Sequence, residues 1–326
     1  MTVNSRRAIA ALLVLAVGGE AALRLRGVRY RFPSPCTLVD GRGCLLVPGS
    51  SEVIAADGAE FRFTTNSLGL RSREPVPEDA ARRRVVVLGD SIAFGALVND
   101  DEVFTARLDA ALASRGIAVI NTASPYLKGT EQQLRFLIDE RDALRPNLVL
   151  VVFTTRNDFA DNKRHDFFLE GVPQPWRPRP MQRLVKASEH MPGYQFLTNH
   201  SWLFGLFSYQ VWNVAARFSE APGSESEATE SVLRLLQSDC RAHGVALAVV
   251  MFPKPPGRNQ GSSAEISKEK MLTEITGQLG IPLFDASPII AVPDAMNRAG
   301  HLSPSGHRAL AEALEPRIVD WLRSAR

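Results

Sequence analysis

Ser91, Asn157 and His301 are the residues whose types and settings could do chemistry together. Ser91 stands in VVVLGDSIAFG, Val85 to Gly95, just after four apolar residues. Such a run suits a strand buried on both faces, so Gly89-Asp90-Ser91 puts a hydroxyl at the strand's C-terminal edge, where open α/β sheets bind ligands. A serine hydroxyl is a weak nucleophile until a base takes its proton. His301, in GHLSPSGHRALAEAL, is the candidate base. Ser303 followed by Pro304 reads as a helix N-cap and first helical residue, which leaves His301 on the loop just ahead of the last helix. Asn157, in TTRNDF, directly follows the apolar strand Leu148 to Phe153 and so shares the edge of Ser91. Its amide could stabilise a developing oxyanion together with the Ser91 N–H. Each feature has a plain structural reading: Gly-Asp-Ser recurs by chance, Asn and Asp end strands, and a lone histidine is more often structural than catalytic. Their convergence on one sheet edge is the functional signal.

The elements that must position them alternate. From Gly95 onward, helical spacing over Val103 to Arg115 precedes a strand at Ile117 to Ile120, and Glu131 to Leu144 precedes Leu148 to Phe153. A helix from Glu230 to His243, a strand at Val245 to Phe252, a helix near Ile266 to Leu279, a strand at Ile281 to Phe284 and a last helix follow. Five strands alternating with helices predict a parallel sheet with right-handed crossovers and helices on both faces. Between two of these strands lies an aromatic-rich insertion, about residues 161–223, holding Trp176, Trp202, Trp212 and Phe167, Phe168, Phe196, Phe204, Phe207 and Phe218. It reads as a lid, an acceptor-binding wall, or a helical excursion packed on the sheet or facing a membrane. APGSESEATES reads as a flexible linker out of it.

With 326 residues and 45 % hydrophobic content, the chain can bury a substantial core. Its net charge is only +3 and its arginines are dispersed, which argues against a nucleic-acid partner. Three cysteines are too few for a disulfide scaffold, and no Cys/His spacing suits zinc, so no metal and no cofactor are expected. Cys36 and Cys44 could pair in an exported protein, while Cys240 reads as a small buried apolar residue.

Residues 1–29 read as a signal anchor or signal peptide: Arg6-Arg7 precede an apolar stretch from Ala8 to Gly19 that resumes after Glu20. Carried on to Leu23 it spans about 24 Å of helix against a hydrocarbon core of ~30 Å, short for a crossing. Ala16 and Gly18 could frame a cleavage site, yet Leu23 and Leu25 continue the apolar face past it, which favours an uncleaved anchor. Arg24, Arg26, Arg29 and Arg31 outnumber Arg6 and Arg7 and complicate a positive-inside topology. An ordinary N-terminal helix is the alternative. The expectation is a membrane partner through this segment, with the remainder exported. Residues 30–81 then form an irregular lead-in that wraps the domain at 82–326. Within it TTNSLGLRSREP suggests a tight turn whose leucines dock on the core, and Arg82-Arg83-Arg84 read as a solvated charge run.

TNSLGLR, VVVLGDSIAFG, VINTASPY, TTRNDF and GHLSPSGH together resemble the blocks of the SGNH/GDSL hydrolase superfamily, over most of the chain from Asn66 to Leu322. The resemblance implies a flavodoxin-like three-layer α/β/α sandwich with a five-stranded parallel sheet, acting on esters of carbohydrates, lipids or small molecules by hydrolysis or acyl transfer. It implies Ser91 as nucleophile and oxyanion donor, Asn157 as a second donor and His301 as base. Two departures stand out. The family's second-block glycine is replaced by NTASPYLKG, leaving Ala123, Tyr126 or Gly129 as the third donor. The family's acid precedes the histidine by two or three residues, where this chain has Ala299 and Arg298; Asp294 is the nearest upstream carboxylate. Either Asp294 serves, or Ser91 and His301 act as a dyad with a backbone carbonyl orienting the imidazole. The expected activity is removal or transfer of an acyl group, such as O-acetyl on a glycan. The rival from another class is a non-catalytic, membrane-tethered glycan-binding or assembly protein on the same fold.

Overall fold

The computed structural model of the chain describes residues 3–25, 36–39, 43–56, 59–72, 82–125, 129–163, 168–169, 172–173, parts of 193–210, 224–253, 263–297 and 300–324. Numbered along the chain, the elements open with helix α1 (Val3–Leu25) and two antiparallel hairpins, β1–β2 (Cys36–Val39, Gly43–Leu46) and β3–β4 (Ser51–Ala56, Ala59–Thr64). The sandwich follows: β5 (Arg83–Gly89), α2 (Ser91–Phe94), α3 (Phe104–Leu112), β6 (Ile117–Asn121), α4 (Gly129–Leu144), β7 (Leu148–Thr154) and α5 (Asp158–Asn162). After the short hairpin β8–β9 (Phe168–Leu169, Val172–Pro173) come α6 (Glu225–Ala242), β10 (Ala246–Phe252), α7 (Ser263–Leu279), β11 (Leu283–Asp285), α8 (Ser287–Ile290) and α9 (Pro304–Ser324).

The five-stranded sheet has the order β11-β10-β7-β5-β6, all parallel. The chain starts in β5, steps outward to β6, then returns past β5 to β7. This flavodoxin-like order places the topological switch point between β5 and β7, the two strands that end in Ser91 and Asn157. Strand pleating divides the core. Val85 and Val87 face Leu108 and Leu112 of α3 and Leu310, Leu314 and Ile318 of α9. Val86 and Leu88 face Leu134 and Leu137 of α4, Leu233 and Leu236 of α6, and Leu272 and Ile275 of α7. Both faces of β5 are thus buried, as its unbroken apolar run predicts.

Several local readings are corrected by packing and capping. The lead-in expected to be irregular contains the two hairpins, and β1–β2 register sets Cys44 opposite Leu38 rather than Cys36; the side chains of Cys36 and Cys44 lie outside the described residues. APGSESEATES is not all linker, because α6 begins at Glu225 under a capping box: the Ser224 hydroxyl accepts from Glu227 N while the Glu227 carboxylate accepts from Ser224 N, each at 3.1 Å. Cys240 is buried, and burial pushes its thiol up to about 12. His307 of α9, readable from its helix as a surface or a packing residue, packs in the core: its Nδ1 accepts from Phe104 N at 3.3 Å and its ring stacks on Phe104.

Residues 1–34 and 177–220 form one compact unit, and 35–176 with 221–326 the other. In the first, the described part of the aromatic insertion meets α1. Glu20, the charge that interrupts the apolar run, accepts from Ser201 Oγ, Trp202 N and Leu203 N at 2.9, 3.1 and 2.9 Å and pairs with Arg24 at 2.8 Å. Partial burial works against ionisation, but these donors outweigh it and hold the carboxyl down to about 2. Glu20 therefore caps the helical stretch 202–207 from another segment of the chain. Among the described residues no helix is long and apolar enough to cross a membrane.

In the second unit, the TNSLGLR segment holds the loop behind Ser91. Asn66 Oδ1 accepts from Leu68 N and Leu70 N at 3.0 and 2.9 Å, which turns the chain so that Arg71 points inward. The buried guanidinium donates to the carbonyls of Phe94, Gly95 and Val98 at 3.1, 2.6 and 2.7 Å and to Asp100 Oδ1 at 2.7 Å, and lies over the Phe94 ring. Three orphan carbonyls just past α2 are satisfied by one rigid fork. Replacement of Arg71 by Met strands them and leaves Asp100 without its cation. R71M is expected to lower unfolding free energy by about 3 kcal/mol or more, read as a drop in the urea midpoint at unchanged slope, and R71K to recover only part of the loss.

Candidate active site

Three chain segments at the C-terminal sheet edge build the site. The first is the β5–α2 junction. Gly89 lies so close to α2 that a Cβ there would stand 2.5 Å from the Ala93 Cβ, so this turn excludes any larger residue. Gly95 ends α2 in the left-handed conformation at φ 81°, and a Cβ would meet Val103 at 2.7 Å. Between these glycines Ser91 is the first residue of α2, where a backbone N–H has no intrahelical acceptor.

The second segment is the turn from β7 into α5, and the third is the loop before α9. That loop is closed on itself: Asn297 N donates to His301 O at 2.8 Å, His301 N donates to Asn297 Oδ1 at 3.0 Å, and Met296 bridges to Leu302. The loop carries His301 Nε2 to 3.0 Å from Ser91 Oγ. This is the geometry in which a neutral imidazole accepts the serine proton.

Asp294 does not join them. It is exposed, at a φ of 62°, and its backbone carbonyl accepts the hydroxyls of Ser303 and Ser305. Among the described residues the buried His301 Nδ1 has no hydrogen-bond partner, neither Asp294 nor a backbone carbonyl. The arrangement is a serine–histidine pair without a hydrogen-bonded acid among the described residues.

The nearby carboxylate is Asp90. Its Oδ1 accepts from Ile92 N at 2.9 Å and Thr154 Oγ1 at 3.3 Å, and its Oδ2 from Asn157 Nδ2 at 3.0 Å. The Asn157 amide also donates to Asp158 Oδ1 at 3.2 Å, and Asp158 Oδ2 accepts from Thr154 N at 2.7 Å. Both protons of the Asn157 amide thus serve buried carboxylates, and an oxyanion role requires this side chain to exchange a partner. Burial raises both carboxyls, Asp158 well above the usual range, with repulsion from Asp90 adding to its rise. Burial thus favours the neutral form of Asp158 more strongly, while the donors Ile92 N, Asn157 Nδ2 and Thr154 Oγ1 work against the rise at Asp90.

Of the second-block candidates, Ala123 N already donates to Asn121 Oδ1 at 3.1 Å, and Gly129 is the first residue of α4 at φ 72°. Tyr126 lies outside the described residues. A cavity of about 250 Å³ lined by Thr64, Arg71, Asp100, Asp109 and Asn121 contains none of Ser91, Asn157 and His301.

No protein-family model and no curated protein sequence matches the chain. Solved structures do. TesA matches at 15 % identity over 72 % of this chain and 97 % of its own, with a TM-score of 0.45. A psychrotrophic esterase EstA from Pseudoalteromonas sp. matches at 14 % identity over 74 % and 99 %, with a TM-score of 0.46. A catalytic mutant of an acetylxylan esterase from Geobacillus stearothermophilus matches at 14 % over 72 % and 94 %, with a TM-score of 0.43. These likenesses are distant, so function is argued from the site itself.

Several contributors escaped the sequence reading. Asp90 sat beside Ser91 in the motif, yet only the fold brings its carboxylate near enough to act electrostatically on His301. Asn297, four residues before His301, had no signal beyond that spacing. Arg156, one residue before Asn157, is exposed beside the base.

Burial lowers the His301 imidazole below its ordinary 6.5; Asp90 works against this and Arg156 adds to it. Only neutral His301 can accept the proton, so activity is lost as pH falls through a value below 6.5. D90N removes the charge that favours imidazolium. The acid limb of kcat/KM should then move to lower pH and kcat should fall; a limb that stays in place shows that Asp90 does not act on the base.

Proposed function

We propose that this chain is a serine ester hydrolase with Ser91 as nucleophile and His301 as general base. The observation that carries this is the 3.0 Å approach of His301 Nε2 to Ser91 Oγ at the switch point of the sheet. Ser91 Oγ attacks the ester carbonyl carbon as its proton passes to Nε2, and the oxyanion forms against the Ser91 N–H. Imidazolium then returns the proton to the departing alkoxide, leaving acyl-Ser91. Water attacks the acyl carbon as His301 takes its proton, and the imidazolium then gives that proton to Ser91 Oγ as the acid departs. The Asp90 charge supports the imidazolium in both halves. A sugar hydroxyl can replace water in the second half by the same steps, giving acyl transfer.

Within the esters of carbohydrates, lipids or small molecules that the motif resemblance implies, we propose O-acetyl groups on a glycan as the substrate, and acetate release from acetylated oligosaccharides tests it. The hydrolytic chemistry is tested first. S91A should reduce turnover of a small acetate ester at least 10³-fold and abolish labelling by a serine-reactive phosphonate; undiminished turnover by S91A removes Ser91 from the mechanism.

We further propose that α1 holds the chain at a membrane, with the sandwich outside the cytoplasm. The support is its outward apolar side, on which Val14, Leu15 and Val17 are about 70 % exposed, and the basic residues at both ends of the segment. The full chain should stay with membranes through alkaline carbonate and leave with detergent, whereas a chain lacking residues 1–25 should be found in the soluble fraction; carbonate release of the full chain contradicts anchoring.

A further inference from the structure

Arg156 stands where a cation opposes the chemistry of the bare site. It lies on the turn between β7 and α5, one residue before Asn157, and its side chain is exposed. Its Nη1 lies 3.8 Å from where a Cβ on Gly300 would stand, and Gly300 immediately precedes His301. Among the described residues its guanidinium has no hydrogen-bond or ion-pair partner. The clustered carboxylates nearby, Asp90 and Asp158, are buried and engaged with Thr154, Asn157 and Ile92.

Proton transfer from Ser91 creates imidazolium on His301, and a neighbouring positive charge disfavours that state. An unpaired guanidinium here hinders the base unless an anion joins it. The oxyanion of the tetrahedral intermediate fits poorly as that anion. Oxyanion donors work by being fixed in advance in a water-excluded site, whereas this arm is exposed and held by no hydrogen bond among the described residues. An anion already present on the substrate fits better, and the planar fork of a guanidinium matches a carboxylate with two parallel hydrogen bonds.

We infer that Arg156 is a specificity residue that binds a carboxylate on the substrate beside the ester, so that the favoured substrates are acylated carboxylic acids, such as an acylated sugar acid. When that carboxylate binds, it neutralises Arg156 and removes the charge opposing imidazolium. Substrate binding and the readiness of the base are thereby linked. This inference rests on the hydrolytic reading above.

The probes are 3- and 4-acetoxybenzoate, each paired with its neutral carboxamide, 3- and 4-acetoxybenzamide. Wild-type protein should favour at least one benzoate over its amide in kcat/KM, with KM for the benzoate rising with added NaCl. R156Q should reduce that benzoate-to-amide ratio about tenfold to a hundredfold, the range for losing a charged hydrogen-bonded pair, mainly through KM, and R156K should restore part of it. A wild-type ratio near one for both pairs, or equal losses on benzoate and amide in R156Q, overturns the inference; the second result makes Arg156 an oxyanion donor. Failure of the wild-type protein to cleave any of the four esters while Ser91 resists the phosphonate overturns the hydrolytic reading instead.

Discussion

The Asp90 carboxylate is the interaction on which the site depends. It is withdrawn from water at the end of β5, and an isolated buried charge is among the most expensive things a fold can contain. Ile92 N, Thr154 Oγ1 and Asn157 Nδ2 make it tolerable. These donors belong to α2, to the last residue of β7 and to the turn after it. Satisfying one carboxylate therefore ties the nucleophile's turn to the neighbouring strand and fixes where Ser91 sits across the switch point.

The same carboxylate gives the site an electrostatic character that hydrogen-bond inspection alone misses. Among the described residues no acid meets His301 Nδ1 and nothing enforces its tautomer, while burial favours the neutral form. Asp90 and Arg156 then pull the imidazole in opposite directions. Burial and repulsion from Asp90 push the Asp158 carboxyl well above its ordinary range, toward the neutral form. Behind Ser91, Arg71 fixes the carbonyls at the far end of α2, so the lead-in contributes directly to the rigidity of the nucleophile's loop. A hydroxyl aimed at a base within 3.0 Å needs that rigidity, because its reactivity depends on a few tenths of an ångström.

Much of the fold was legible because its signals are local. Val85 to Leu88 and Leu148 to Phe153 read as buried strands since each is apolar without alternation, and Ser303-Pro304 marked the start of the last helix. The lead-in hairpins were less visible: β1 to β4 are short, and pairing, rather than composition, makes them strands. The capping box at Ser224 was hidden in a polar stretch that composition alone describes as a linker. His307 carried no local signal to separate a surface role from a packing one, and only its contact with Phe104 places it in the core.

What the sequence determined by itself was the α/β/α architecture, the position of Ser91 at a strand end and the placement of His301 just before a helix. Each follows from residue patterns within about ten positions, at the scale of hydrophobic periodicity and capping. The tertiary structure decided which groups meet. It brought His301 to Ser91 across 210 positions of chain, left Asp294 outside, turned the Asn157 amide toward two carboxylates and set Glu20 as the cap of a distant helical stretch. The reason is that hydrogen-bond partnership and electrostatic sign depend on distances between segments far apart in the chain, and those distances exist only once the sheet has set the strand order.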